Sequence, residues 1–356
     1  MTDATPPSLK ALAAAMGLSS ATVSRVLSGQ AERYRISSGT RDRILANARS
    51  SGLVVDHLAR SLRLRRTLTI GFVAPDISDS FFAALARHVE RSARRHGYSL
   101  LVADTADDPV AETQALTLML DRHVDGLILA PVGTPASHLP LARLAQRPCV
   151  LVDRLSPELA VPAITADHRR GAELAVQHLI ERGHRRIACI QGRPGSYPSD
   201  ERVAGWRAAL RRGGLACGAD LLFGAGDSAE AGRAAASALL AREPRPTAAL
   251  VLGDRLSIGV LQALQQAGLT IPADLSLVAV EDQPWTGVVS PPLTTISQPV
   301  AELGSQVIEL LLERIAGQRS MRLPRTLPVH LIERASVREL SGDPGSGPAR
   351  ACGAEP

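Results

Sequence analysis

Of the forty basic residues in this 356-residue chain, Lys10 is the only lysine, and such one-sided use of arginine reads as genomic bias rather than function. Cysteine is scarce. Cys149, Cys189, Cys217 and Cys352 form no CxxC pair and no metal-ligand spacing, which predicts reduced thiols that mostly fill the core. No run of eighteen apolar residues occurs, so no segment is expected to span a bilayer. Met1 to Pro7 holds Asp3 and two prolines in place of a basic-plus-apolar leader, which predicts a cytoplasmic protein rather than a secreted one. No strand-to-helix turn carries GxGxxG, GxSxG or GxxxxGKS/T. An enzyme is therefore not expected, nor a cofactor or a bound metal.

What is present begins with length. A chain of 356 residues at 45% apolar content exceeds one ordinary core and predicts two or three domains. The net charge of +5 is unevenly placed. Residues 1–66 hold eleven Lys and Arg against four acids, so the remaining body is slightly acidic. A basic head on a near-neutral body predicts a polyanion partner for the head alone.

The stretch Ser8 to Gly29 reads as two short helices around a tight turn. Ser8 is a candidate N-cap, and Leu9, Leu12, Ala13 and Met16 make one apolar stripe at helical spacing. Gly17 can stop that helix in a left-handed conformation. Ser19 can cap the second helix, which turns Val23, Val26 and Leu27 inward. Its other side carries Ser20, Ala21, Thr22, Ser24, Arg25 and Ser28, with no bulky apolar group. Such a face fits a DNA major groove. A ligand-free helical hairpin is the alternative for these residues alone. Ser37 or Ser38 can cap a third helix, with Ile44, Leu45 and Ala48 facing inward. The run Asp56 to Arg66 predicts a short helix with Leu58 and Leu62 one turn apart, too short to stand alone in water. Paired with a twin in a minor groove it would gain both cover and counter-charge, and Leu62 could wedge between base steps. A basic interdomain linker is the other reading.

From Thr67 on, buried strand-like runs alternate with helical stretches, and the pattern restarts near Asp167. That predicts two doubly wound parallel sheets with ligands outside the carboxyl ends of the strands. The polar residues there are Asp76 with Ser80, Phe81 and Phe82; Asp104; Asp153 with Arg154; Asp167; Arg202; Asp254; and Glu281 with Asp282. Carboxylates, a guanidinium fork and a flat ring are what a sugar requires. Helix capping is the alternative role for Asp153, Asp167 and Asp254.

Three runs carry a resemblance: Leu18-Ser19-Ser20-Ala21-Thr22-Val23-Ser24-Arg25-Val26-Leu27-Ser28-Gly29, Leu58-Ala59-Arg60-Ser61-Leu62-Arg63, and Ile70 to Phe82. They resemble the lactose/galactose-repressor (LacI/GalR) family, at the expected spacings, from about Ser8 to about Arg338. The loop Gln30 to Arg35 resembles the fructose- and sucrose-repressor branch. The resemblance implies an α/β chain in four parts. Residues 1–55 would be a helix-turn-helix headpiece, 56–66 a hinge helix, 67–340 a two-lobed periplasmic-binding-protein-like body, and 341–356 a disordered tail. Lobe 1 would take 67–163 and 297–324, and lobe 2 would take 164–293 and 325–340. By position, Ser20, Ala21 and Arg25 would read bases, Ser8, Thr22 and Ser24 would anchor phosphates, and Leu58 and Leu62 would serve the hinge. Arg202 in Arg202-Val203-Ala204-Gly205-Trp206 matches the effector-contacting arginine, while Asp153, Trp206 and Glu281 fall at other pocket positions. Phe81 and Phe82 match an aromatic pair that contacts purine in a nucleobase-sensing member. Gly253-Asp254 and Glu281-Asp282 stand where the family has Asn-Asp and Asp-Asp.

The implied protein is a cytoplasmic, homodimeric, ligand-responsive repressor on palindromic double-stranded DNA. Its effector would be a sugar, a sugar phosphate or a nucleoside, and no membrane would be involved. The tail from Ser341 has no heptad, so a dimer rather than a tetramer is expected. The rivals are an enzyme and a sugar-binding protein without regulatory DNA binding.

Overall fold

The computed structural model describes residues 9–27, 30–51, 66–132, 138–139, 141–156, 159–318 and 324–340. It divides into two compact units, Met1–Leu68 and Thr69–Pro356.

The first unit packs three helices, α1 (Leu9–Ala15), α2 (Ser20–Leu27) and α3 (Ser38–Ser50). Gly17 ends α1 at φ +65°, where a side chain would be strained. Ser19 caps α2 by accepting from the Thr22 amide at 3.0 Å, and Ser37 caps α3 through the Thr40 amide at 3.3 Å. With those ends satisfied, Leu12, Ala13, Val23, Val26, Ile44 and Ala48 close one small core. Ala31 joins it from the following turn, and Leu45 packs against its edge. The hinge expected at 56–66 lies almost wholly outside the described residues, as do Ser8, Leu58, Leu62, Cys352 and the tail.

The second unit holds two six-stranded sheets. The first contains β1 (Thr69–Ala74), β2 (Ser99–Asp104), β3 (Gly126–Leu129), β4 (Cys149–Val152), β5 (Ala163–Ala166) and β11 (Arg325–Leu327). Their order is β11-β5-β4-β3-β1-β2, parallel throughout. Its helices include α4 (Ser80–Arg95), α5 (Pro109–Asp121), the short α6 (Leu141–Leu144) and α11 (Val300–Ile315). The second sheet contains β6 (Ile187–Ile190), β7 (Leu222–Phe223), β8 (Ala248–Val251), β9 (Ser276–Val280), β10 (Thr294–Ser297) and β12 (His330–Ile332). Their order is β12-β10-β9-β8-β6-β7, with only β12 antiparallel. Helices α7 (His168–Glu181), α8 (Tyr197–Arg212), α9 (Ala229–Leu240) and α10 (Asp254–Gln266) accompany it. Strands β3, β4, β6, β8 and β9 are buried at every position, which is why they read as apolar runs, broken only by Ser276 at the start of β9.

Three lobe boundaries move from where the sequence suggested. Ala163–Ala166 pairs with β4, Leu151 opposite Ala163, so the chain leaves the first sheet at Asp167 rather than at 163. Thr294–Ser297 pairs with β9 and stays in the second sheet. Arg325–Leu327 pairs with β5 and belongs to the first sheet, so the last crossing follows Leu327. In each case a short strand pairs with a neighbour that local periodicity does not mark.

Candidate functional site

In the first unit, the capped start of α2 sets one side outward. Ser20, Ala21 and Arg25 are exposed, Thr22 and Ser24 are half-buried, and Val23 and Val26 face the core. Thr22 shares a 2.8 Å hydroxyl contact with Ser19. The Arg25 guanidinium lies over the Tyr34 ring, 4.1 Å from its centroid, with Arg33 at 5.9 Å from the same ring. That stack fixes a long side chain which would otherwise sample many rotamers. Sequence reasoning missed Tyr34, although its loop was singled out. The face presents hydroxyls, a methyl group and a positioned guanidinium, the groups that contact phosphates and base edges.

In the second unit, the carboxyl ends of both sheets open on one cleft, which draws residues from both lobes. From the first lobe, Asp76 follows β1, and Asp79 caps α4 by accepting from the Phe81 and Phe82 amides at 2.8 and 3.4 Å. The two phenyl rings meet edge to face, 5.1 Å apart, and border the cleft. Asp153 and Arg154 follow β4. From the second lobe come Ser199 and Arg202 of α8, Asp254 and Arg255 of α10, Glu281 after β9, and Gln298 after β10. Asp153 and Glu281 have φ of +63° and +81°, a left-handed backbone uncommon for non-glycine residues. Equivalent strand ends of the two lobes thus aim a carboxyl into the same space through the same strained conformation.

Arg202, 7% exposed, donates to the Leu252 carbonyl at 3.0 Å, and its other terminal nitrogen lies 3.3 Å from His168 Nδ1. His168 Nε2 is 3.2 Å from Asp153 Oδ1. Arginine, histidine and aspartate therefore form one buried line from the second lobe to the first. Nδ1 can only accept from the guanidinium, which leaves Nε2–H to face the carboxylate. Burial works to raise Asp153, but the His168 contact and the charges of Arg202 and Arg154 outweigh it and hold the group below its ordinary range. Glu281 lacks such a partner. Burial first, then Asp79, push it well above the usual carboxylate range, and Oε2 has no hydrogen-bond partner. Burial and the Asp254 charge raise Asp79 to about 6.

Contacts also tie the lobes together across the cleft mouth. Ser80 donates to Asp254 at 2.5 Å, and Arg255 reaches Asp76 at 2.9 Å and Ser78 at 2.8 Å. At the other side, Asp107 is 2.7 Å from Arg154 and 3.4 Å from Arg193.

Of the residues expected here, Phe81, Phe82, Asp153, Arg202, Asp254 and Glu281 border the cleft, and two do not. Trp206 is fully buried one turn beyond Arg202 on α8, because its large indole packs into the core. Asp282 points away, ion-paired to Arg334 at 2.7 Å and accepting from Thr295 at 2.8 Å. Successive side chains at a strand end project to opposite sides, so Glu281 and Asp282 cannot both face the cleft. Asp104 turns into the Ala106 and Ile77 amides, and Asp167 caps α7 through the Arg170 amide at 2.9 Å. Sequence reasoning missed Asp79, His168, Arg255 and Gln298. Asp79 stood before a helix start and His168 beside a capping Asp, positions that ordinarily signal structure alone. Among the described residues, no three His, Cys, Asp or Glu side chains are grouped to hold a metal ion.

Residues 176–337 match the family model of the periplasmic binding protein-like domain. The HTH-type transcriptional repressor CytR of Escherichia coli is 33% identical over 94% of this chain and 98% of its own length. The ribose operon repressor of the same organism is 33% identical over 92% of this chain and 99% of its own. Among solved structures, the lac repressor dimer bound to operator and the anti-inducer ONPF is 27% identical, with a TM-score of 0.83, covering 94% of this chain and 100% of that one. With a three-helix head, a two-lobed body and relatives of this identity along nearly its whole length, the chain belongs to the LacI family of transcriptional repressors.

Proposed function

We propose that the protein represses transcription as a homodimer on a palindromic operator and is controlled by a sugar-like small molecule held between its lobes. In this reading Ser20, Ala21 and Arg25 read base edges, while Ser8, Thr22 and Ser24 anchor phosphates. The segment with Leu58 and Leu62 pairs with its twin and opens the minor groove. The effector meets Phe81 and Phe82 on its apolar side and Asp153, Arg202, Asp254 and Glu281 on its hydroxyls. The single observation that supports this best is the buried Arg202–His168–Asp153 line, which joins the two lobes through the cleft. A ligand that contacts its ends binds one degree of lobe closure better than another. A coupling of about 1–3 kcal/mol would change operator occupancy several-fold to over a hundredfold. The location that follows is cytoplasmic and nucleoid-associated.

The test is operator binding across a salt series, with and without candidate sugars. A repressor shows a steep salt slope and a shift in affinity when its effector is added. A sugar-binding protein without regulatory DNA recognition would show a shallow slope, and that outcome would remove the reading.

A further inference from the structure

The cleft's arginines are each already engaged, and three of its carboxyl groups are left without a cation of their own. Arg255 is held by Asp76 at 2.9 Å, and Arg154 is held by Asp107 at 2.7 Å. Arg193 lies between Asp107 and Asp227, at 3.4 and 3.8 Å. Arg202 commits one nitrogen to the Leu252 carbonyl and another to His168. Helix N-termini are the other groups that take anions. Of those at the cleft, α4 and α10 are occupied by their own carboxylates, while α8, whose N-cap Ser196 makes no side-chain cap bond, carries Asp200 in its first turn. Asp79 accepts from the Phe81 and Phe82 amides, and Asp254 accepts from the Arg255 amide at 2.6 Å. Asp79, Asp254 and Glu281 are left bordering one space without a dedicated cation.

The same cleft contains buried polar atoms that lack any partner: Glu281 Oε2, the Ser199 hydroxyl, and both amide atoms of Gln298. Such atoms are costly to leave unpaired, and together they offer both acceptors and donors. A neutral hydroxyl supplies both functions and adds no charge.

We propose that this cleft takes an uncharged polyhydroxylated effector and rejects the phosphate ester of the same molecule. The inference rests on the effector reading above and narrows its ligand class. A phosphate would bring about two negative charges beside the carboxylates of Asp79 and Asp254 in a partly desolvated site, where repulsion is poorly screened. To gain a cation it would have to break an existing Arg–Asp pair or draw Arg202 away from the Leu252 carbonyl and His168.

The experiment is calorimetric titration of the full-length protein with ribose, fructose, glucose and adenosine, each against its own monophosphate. The expected result is binding of at least one neutral member, with its ester weaker by roughly a hundredfold or more. An ester that binds as tightly as its neutral partner, or tighter, overturns the proposal and leaves the effector reading standing. Silence from all pairs counts against the effector reading itself, and the proposal falls with it. The double variant Asp79→Asn with Asp254→Asn separates charge from shape. Exclusion by charge predicts that the neutral-to-ester ratio narrows by about tenfold or more. A ratio that does not move assigns the exclusion to shape and overturns the electrostatic argument.

Discussion

At the scale of single residues, the Arg25–Tyr34 stack links the loop after α2 to the arginine proposed to read a base. An arginine held over a ring loses part of its rotamer freedom before DNA arrives, so less is lost on binding. Arg25→Ala is expected to weaken operator binding by about 1–3 kcal/mol and to relax the preference for one base pair. Tyr34→Ala should cost less, about 0.5–1 kcal/mol, while Tyr34→Phe should retain most of the affinity because the ring remains. Fluorescence anisotropy against the operator and its single-base variants reads both effects. Equal losses on every sequence would assign Arg25 to phosphate rather than base. In the body, Arg202→Ala should leave operator affinity unchanged and abolish the response to effector, since its buried guanidinium joins the lobes rather than the DNA face. A normal effector response in that variant would remove Arg202 from the site. Asp153 is legible in the sequence as a charged residue at a strand end of a doubly wound sheet, and Arg202, inside α8, through the likeness of its motif to the family's. Trp206 and Asp282 mislead because proximity in sequence to a cleft residue does not settle which side of a helix turn or strand end the side chain takes.

At the scale of elements, the helices of the second lobe touch through glycine. A methyl group on Gly259 would lie 1.9 Å from the Ala229 carbonyl oxygen, and one on Gly205 would lie 2.2 Å from that of Arg169. Backbone therefore meets backbone between α9 and α10 and between α7 and α8. Gly259→Ala should push α10 off its partner at a cost of about 1–3 kcal/mol, visible as a lower Tm by calorimetry. Unaltered stability would mean that the helix pair is looser than the structure describes. Strands β6, β8 and β9 beneath these helices are legible because each is a nearly continuous apolar run. The strands β5, β10 and β11 are not legible in the same way. Arg325–Leu327 is exposed at two of its three positions, and its pairing partner lies some 160 residues earlier. Nothing local in the chain records which of two sheets such a segment will extend.

At the scale of the whole body, lobe closure sets attraction against repulsion. The Ser80–Asp254 and Arg255–Asp76 contacts draw the cleft mouth together. Asp79, Asp254 and Glu281 resist it when they are all ionised. Asp79 is raised to about 6 from 3.8, by burial first and by Asp254 next. A carboxyl with a raised folded pKa contributes stability that is fully present below its unfolded value and is lost as pH rises through the folded one. Stability from this group therefore falls between about pH 4 and pH 6, by on the order of 1–3 kcal/mol. His184 imposes the opposite slope across much of the same window. Burial lowers it to about 4 from 6.5, so its contribution is lost as pH falls. The wild-type curve alone thus mixes two trends, and the comparison with Asp254→Asn isolates one of them. That variant removes a charge facing Asp79 and Glu281 while keeping an oxygen that accepts from Ser80. Its Tm relative to wild type should rise steadily from pH 5 to pH 7, because relief of repulsion matters only where Asp79 is ionised. A difference that stays flat across that range would mean that the two carboxylates do not sense each other, and that closure is set by the rim contacts alone.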